Sequence, residues 1–150
     1  MNQYDSIAAY YEALMGDAGD LPNHHLLNPI LLEFLPQEKQ LDALDVGCGS
    51  GRWTKVLAAK YNKVIGFDKS KEMLQIAKEK RSAHNIIYKH IDLEAVLPFE
   101  DTAFDLIFSN MVMHYLSDIQ HAANELYRVA KSNGVLLFST HHPEFDLVDV

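Results

Sequence analysis

One cysteine, Cys48, stands in a chain of 150 residues. A single thiol excludes an internal disulfide and offers no cysteine cluster to a metal, which suits a reducing compartment. Basic charge is also short: 13 Lys and Arg face 21 Asp and Glu, a formal charge of -8 at pH 7. An acidic surface repels a polyphosphate backbone unless its cations gather on one face, and here they are scattered. The densest basic stretch, "KSKEMLQIAKEKR" from Lys69 to Arg81, interleaves acids at helical spacing and reads as a solvated helix face. Nucleic acid is therefore not the expected partner. No apolar run reaches membrane-spanning length, and "MNQYDSIAAYYEAL" carries acids where a secretory leader carries basic residues. The expectation is a cytoplasmic protein without a membrane partner. Repeats, low-complexity tracts and interdomain linkers are missing as well, so the 48% hydrophobic content belongs to one core.

What is present is an alternation of two periods. Residues 41–46, 63–67, 86–91, 104–108 and 135–140 are short apolar runs, each fit for a buried parallel strand. Between them lie helical patterns with start signals: Ser50, Ser70, and Ser117, which Gln120 completes as a capping box. In the last helix Ile119, Ala122, Ala123, Leu126 and Val129 form one apolar stripe, and "SNG" at 132–134 stops it. Strand and helix alternate from residue 41 onward, which predicts an α/β, Rossmann-like parallel sheet with helices on both faces. This core, 41–150, follows an N-terminal helical cap, 1–40, in which Pro29 takes a first-turn position after Asn28.

"LDVGCGSGR", Leu44 to Arg52, falls between the first strand and the first helix of that sheet. Open α/β sheets bind ligands there, in the crevice beyond the strands' carboxyl ends. Gly47 and Gly49 allow close backbone approach, and free N–H groups at a helix start favour a negative group. The dinucleotide fingerprint G-x-G-x-x-G is not met, because Arg52 occupies the third glycine position and the spacing is G-x-G-x-G. Asp68 ends the second strand, where a carboxylate can accept both ribose hydroxyls. Asp92 ends the third and could accept from an adenine amino group. The pattern points to adenosine without a diphosphate; a nicotinamide-nucleotide enzyme and a non-catalytic cofactor-binding module are the rival readings.

Four ordered pieces, "LDVGCGSG", "VIGFD", "HIDLEAVLPFEDTAFDLIFSN" and "GVLLFST", resemble the class I S-adenosylmethionine-dependent methyltransferases, within them the small-molecule group that includes the ubiquinone and menaquinone biosynthesis enzymes. The resemblance implies S-adenosylmethionine as cofactor and a small-molecule acceptor. It also implies roles. Asp45 with the loop of Gly47, Cys48, Gly49 and Gly51 would cradle the methionine part, Asp68 with adjoining Lys69 the ribose, and Met73 the adenine face. Asp92 with the backbone of Leu93 would read the adenine edge, and Ser109 or Asn110 would lie beside the methionine amine. Tyr4 and Tyr11, one heptad apart on an N-terminal lid helix with Tyr10 beside them, would face the sulfonium. His114 is the candidate general base. The two prolines that amino-methyltransferases carry after Asn110 are missing, which weighs against nucleic-acid bases and glutamine as acceptors. Each residue has a plainer reading: glycines as a tight turn, Asp68 as a helix cap, Met73 and the tyrosines as core, Cys48 as a small buried side chain. Adjacent His141 and His142 point to opposite faces of a strand, so no metal site is expected from them and Glu144. The resembled sheet has seven strands and only five runs are present, so the last two are expected to be lacking. That predicts retained cofactor binding with weak or no acceptor turnover. It also leaves the fifth run as an apolar edge, covered by self-association or by residues 141–150.

Overall fold

The computed structural model describes residues 3–17 and 19–142. They fold into a five-stranded sheet, parallel throughout, in the order β3-β2-β1-β4-β5. The strands are β1 Asp42–Val46, β2 Lys63–Asp68, β3 Ile86–His90, β4 Phe104–Asn110 and β5 Ala130–Ser139. Helices α3 Arg52–Ala58, α4 Lys71–Lys80 and α5 Ile119–Val129 connect them, and α1 Gln3–Met15 and α2 Asn28–Phe34 come first. Every run read as a strand is one, and strand and helix alternate as expected except between β3 and β4, which residues 91–103 join without a helix.

The pleat sorts the central strands onto two cores. Leu44, Val46, Ile65, Phe67 and Ile107 pack beneath α5, against Ala122, Leu126 and Val129. Ala43, Val64, Leu106 and Phe108 pack on the other face against Trp53 and Leu57 of α3. Leu31 and Leu35 join the second cluster, so the segment before the sheet contributes to the core. Burying each such side chain is worth about 1.5–3 kcal/mol. Pro29 lies in the first turn of α2, as its fixed φ favours, and the π-helical turn Asn23–Leu27 runs straight into that helix.

Two of the three caps differ from the sequence reading. Ser70 does cap α4, its Oγ accepting from Met73 N at 3.2 Å. Before α3, however, the cap is Gly51 at φ +83°, a left-handed conformation that a serine side chain would strain, so Ser50 stays in the loop. Before α5 the cap is Asp118, whose Oδ1 accepts from His121 N at 2.9 Å. Ser117 instead donates its N–H to Glu94 Oε1 at 2.7 Å, and Gln120 bonds Asn124.

The α5 stripe is also narrower than its spacing suggests: Ile119 and Ala123 are exposed, while Glu125 is buried. Glu125 goes inside because it accepts Leu97 N at 2.7 Å and pairs with Arg128 at 2.7 Å, tying α5 to the loop before β4. Residues 132–134 do not end that helix. It has stopped at Val129, and they form an irregularity inside β5, where the register shifts between Phe104 and Leu106 and a side chain at Gly134 would press on Lys131 O.

Candidate functional site

The chain enters the sheet at β1, steps outward through β2 and β3, then returns to β4 on the other side of β1. That reversal opens a crevice at the strands' carboxyl ends, and a cavity of about 400 Å³ fills it. Gly47 and Gly49 form its floor with Asp68, Lys69, Asp92 and Leu93, and Asn110 closes the β4 side. Tyr11, Leu14 and Met15 of α1 form the roof, continued by Asp20 and Asn23.

Gly49 is the opening in the floor. Its φ is +52°, a methyl group placed on it would meet nothing within 4 Å, and its N–H donates to Asp68 Oδ2 at 2.8 Å. Ser70 N donates to the other oxygen, Oδ1, at 2.8 Å. Each carboxylate oxygen thus keeps a lone pair for a ligand donor. Burial pushes the Asp68 carboxyl above its usual range, and the two N–H bonds pull the other way. Gly47 and Gly51 answer to packing. A methyl on Gly47 would sit 2.5 Å from Val112 Cγ2, and one on Gly51 would be driven into the Tyr88 hydroxyl and Ala77.

Of the residues singled out in the sequence, Gly47, Gly49, Asp68, Lys69, Met73, Asp92, Leu93, Asn110 and Tyr11 line this one cavity. Four others do not. Asp45 is 1% exposed beneath the loop, where Thr54 Oγ1 donates to its Oδ2 at 2.5 Å. Burial pushes its carboxyl up to about 7 despite that bond. Cys48 is buried, its thiol pushed up by desolvation and set 3.7 Å from Gly49 O, the small core residue of the plainer reading. Gly51 caps α3, and Ser109 is enclosed in β4 with no partner for its Oγ among the described residues. The Tyr4 side chain lies outside the described residues, as does Glu144, and Tyr10 is exposed. His114 sits outside the cavity lining, its Nδ1 3.3 Å from Thr140 Oγ1 and its ring stacked on His141 at 4.2 Å.

Sequence reasoning missed Arg81. It ends the stretch taken for a solvated helix face, yet it is 2% exposed. Its guanidinium donates to Glu12 Oε1 and Oε2, Asp17 Oδ1, Gly16 O and Ser50 O at 2.8–3.1 Å. No local pattern marks it, because every partner is at least 31 positions away.

The family described as "Methyltransferase domain" matches residues 44–138, from the middle of β1 to within a residue of the end of β5. The chain belongs to that family. A match running through the G-x-G-x-G loop also decides the question left open at Arg52: the loop is a methyltransferase loop, not a nicotinamide one. Among the relatives of this methyltransferase domain is the malonyl-[acyl-carrier protein] O-methyltransferase of Salmonella typhimurium, 36% identical over 110 residues, covering 73% of this chain and 43% of the relative. The enzyme of the same name from Hamiltonella defensa is 40% identical over 110 residues, 73% of this chain and 42% of its own. The domain thus spans less than half the length of the curated relatives it matches. In fold it is similar to the S-adenosylmethionine-dependent methyltransferase of Mesorhizobium loti, with a TM-score of 0.74, 30% identity, and coverage of 78% of this chain and 54% of that one. A methyltransferase of Aquifex aeolicus is alike at a TM-score of 0.72 and 27% identity, covering 87% and 71%.

Proposed function

We propose that the cavity binds S-adenosylmethionine and that the domain serves transfer of a methyl group to a small-molecule acceptor. The observation that carries this reading is Asp68: it ends β2, faces the cavity, and is joined to the glycine loop through Gly49 N. The open face of Gly49 fits the cofactor, since any other residue would place a side chain where a ligand must come. Asp68 accepts the ribose hydroxyls on its remaining lone pairs, beside Lys69. Met73, buried and lining the cavity, flanks the adenine, with Asp92 and Leu93 at its edge. The glycine loop and Asn110 hold the methionine part. Asp45, Cys48, Gly51 and Ser109 support the loop and strand from below, and Tyr11 covers the site from α1. When bound, S-adenosylmethionine supplies a methyl group on a sulfonium, an electrophile for in-line attack.

The relatives' names support a carboxylate acceptor, the malonyl group of a thioester. A carboxylate is ionised at neutral pH, so no base must take a proton from it, and holding the partners in line in a dry cavity suffices. His114 acts as base only for an acceptor that must lose a proton. The proposed setting is the cytoplasm; no helix among the described residues is long and apolar enough to cross a membrane. Calorimetric titration with S-adenosylmethionine, S-adenosylhomocysteine and NAD, followed by transfer of labelled methyl to a malonyl thioester, tests the reading. Saturable binding of the first two ligands and none of NAD is the expected result. Tight NAD binding without S-adenosylhomocysteine binding overturns it.

A further inference from the structure

α1 roofs the cavity, and both of its ends are tied to the ends of α4, at Ser70 and Arg81. At its start, Ser70 Oγ donates to Asp5 Oδ1 at 2.7 Å. The same hydroxyl accepts from Met73 N, and Ser70 N donates to Asp68. One serine therefore caps α4, holds the acid at the end of β2 and grips the roof. At its far end, Arg81 takes Glu12 with both terminal nitrogens, at 3.1 and 2.9 Å, while NH1 also donates to Ser50 O in the glycine loop at 2.9 Å. NH2 reaches Gly16 O at 3.1 Å and Asp17 Oδ1 at 2.8 Å, just beyond the helix. Lys80 Nζ adds a bond to Glu12 at 3.1 Å. Between these ties lie Tyr11, Leu14 and Met15, the roof itself.

The arrangement is bidentate, and Glu12 is buried with Arg81. Removing either partner leaves a buried charge with only an exposed counter-ion, Lys80 for Glu12 or Asp17 for Arg81, so the docked position of α1 favours both. The two elements gripped are the ones that hold the ligand on the reading above: the glycine loop and the Asp68 turn.

We propose that Arg81 and Asp5 are positioning residues that couple docking of α1 to cofactor binding. Arg81 links the roof to the glycine loop, and Asp5 links it through Ser70 to Asp68. Neither lines the cavity. The inference rests on the cofactor reading and adds to it a reciprocal relation: the cofactor tightens α1 by the factor by which docked α1 tightens the cofactor.

The experiment measures both sides. Affinity for S-adenosylhomocysteine is taken by calorimetry on the full chain, and hydrogen exchange on residues 7–15 is followed with and without saturating ligand. The variants are Asp5→Ala, the charge-removing pair Glu12→Gln/Arg81→Met, which leaves no buried ion unpartnered, and the conservative Arg81→Lys. In wild type, ligand slows exchange of α1 by a factor in the usual coupling range of about 5- to 150-fold. The pair variant weakens binding by a matching factor, with exchange in β1 and β4 unchanged, and Arg81→Lys falls between. Should the pair variant fail to fold, Asp5→Ala and the wild-type exchange data decide the matter alone. Wild-type binding with no change in the variants, or α1 exchange indifferent to ligand, overturns the inference and leaves the cofactor reading standing. Failure of wild type to bind S-adenosylhomocysteine at all overturns both.

Discussion

Two acids in this domain, buried Asp45 and half-buried Asp68, lie 23 positions apart in sequence and beside one loop in space, and their surroundings separate their tasks. Asp68 is open to the cavity and holds two N–H bonds, so it is placed to accept two more. Asp68→Ala is expected to weaken S-adenosylhomocysteine by about 2–4 kcal/mol, the worth of a charge-assisted pair, with the fold intact; calorimetry at constant salt checks it, and equal affinity would remove Asp68 from the site. Asp45 accepts from Thr54 beneath the loop, and burial pushes its carboxyl from the ordinary 3.8 up to about 7. A folded-state value raised for an acid means the native state holds the proton more tightly. Its contribution to stability is therefore present at low pH and lost as pH rises from 3.8 toward 7. Asp45→Asn keeps an oxygen for the Thr54 hydroxyl and removes the charge. It should stabilise the ligand-free protein at pH 8 by on the order of 1–3 kcal/mol and change little at pH 4. Urea unfolding at the two pH values reads this directly, and an equal difference at both would refute it.

At the scale of elements, α5 shows how one helix start can be misassigned by one residue and still be built from the expected parts. Ser117 and Gln120 have capping-box spacing, but Glu94 takes the Ser117 N–H and hydroxyl, and the cap passes to Asp118. Asp118→Ala is expected to cost about 0.5–2 kcal/mol, and Gln120→Ala close to nothing, as thermal unfolding will show. The same helix carries a pH-dependent tie. The bond from Arg128, then that from Leu97 N, hold Glu125 down to about 2 from its ordinary 4.5. A depressed acid stabilises above its unfolded value, so this contribution is complete above pH 4.5 and is lost as pH falls toward 2. Glu125→Gln should destabilise at pH 7 and narrow that gap by pH 2.5, measured as the difference in Tm from wild type. A gap independent of pH would mean that packing, not charge, holds the loop.

For the whole molecule, the feature that governs association is the sheet's edge. β5 is the last strand in the order, and Val135, Leu136 and Phe138 are 40%, 47% and 50% exposed. Leu136 and Phe138 share one face, by their registers with Ile107 and Ser109. Exposed apolar edge strands recruit a neighbour, and we propose that this one pairs with another copy of the chain. Sedimentation velocity over a range of concentrations should show association in wild type, abolished in Leu136→Lys/Phe138→Lys. A wild type monomeric at every concentration, with rapid exchange in β5, refutes the proposal. Of the alternative cover, residues 141–150, all but His141 and His142 lie outside the described residues.

The alternation of periods determined the five strands, their parallel sense and the placing of the glycine loop at the reversal point, because a buried parallel strand is legible as an apolar run and its position follows from the order of elements. That Gly49, Asp68, Asp92 and Asn110 line one cavity was legible for the same reason, since each sits at or beside the carboxyl end of a strand; Met73, inside α4, was singled out only through the family resemblance. Only the tertiary structure decided which glycine has open space before it and which two face side chains, since the difference lies in Val112, Tyr88 and Ala77, all remote in sequence. It also decided that Arg81 is among the most buried side chains in the domain. A charge at the end of a solvated-looking helix is buried only if acids from another element arrive to meet it, and Glu12 and Asp17 come from 69 and 64 positions away. Local pattern reports the faces of an element; which face is dry depends on what packs there.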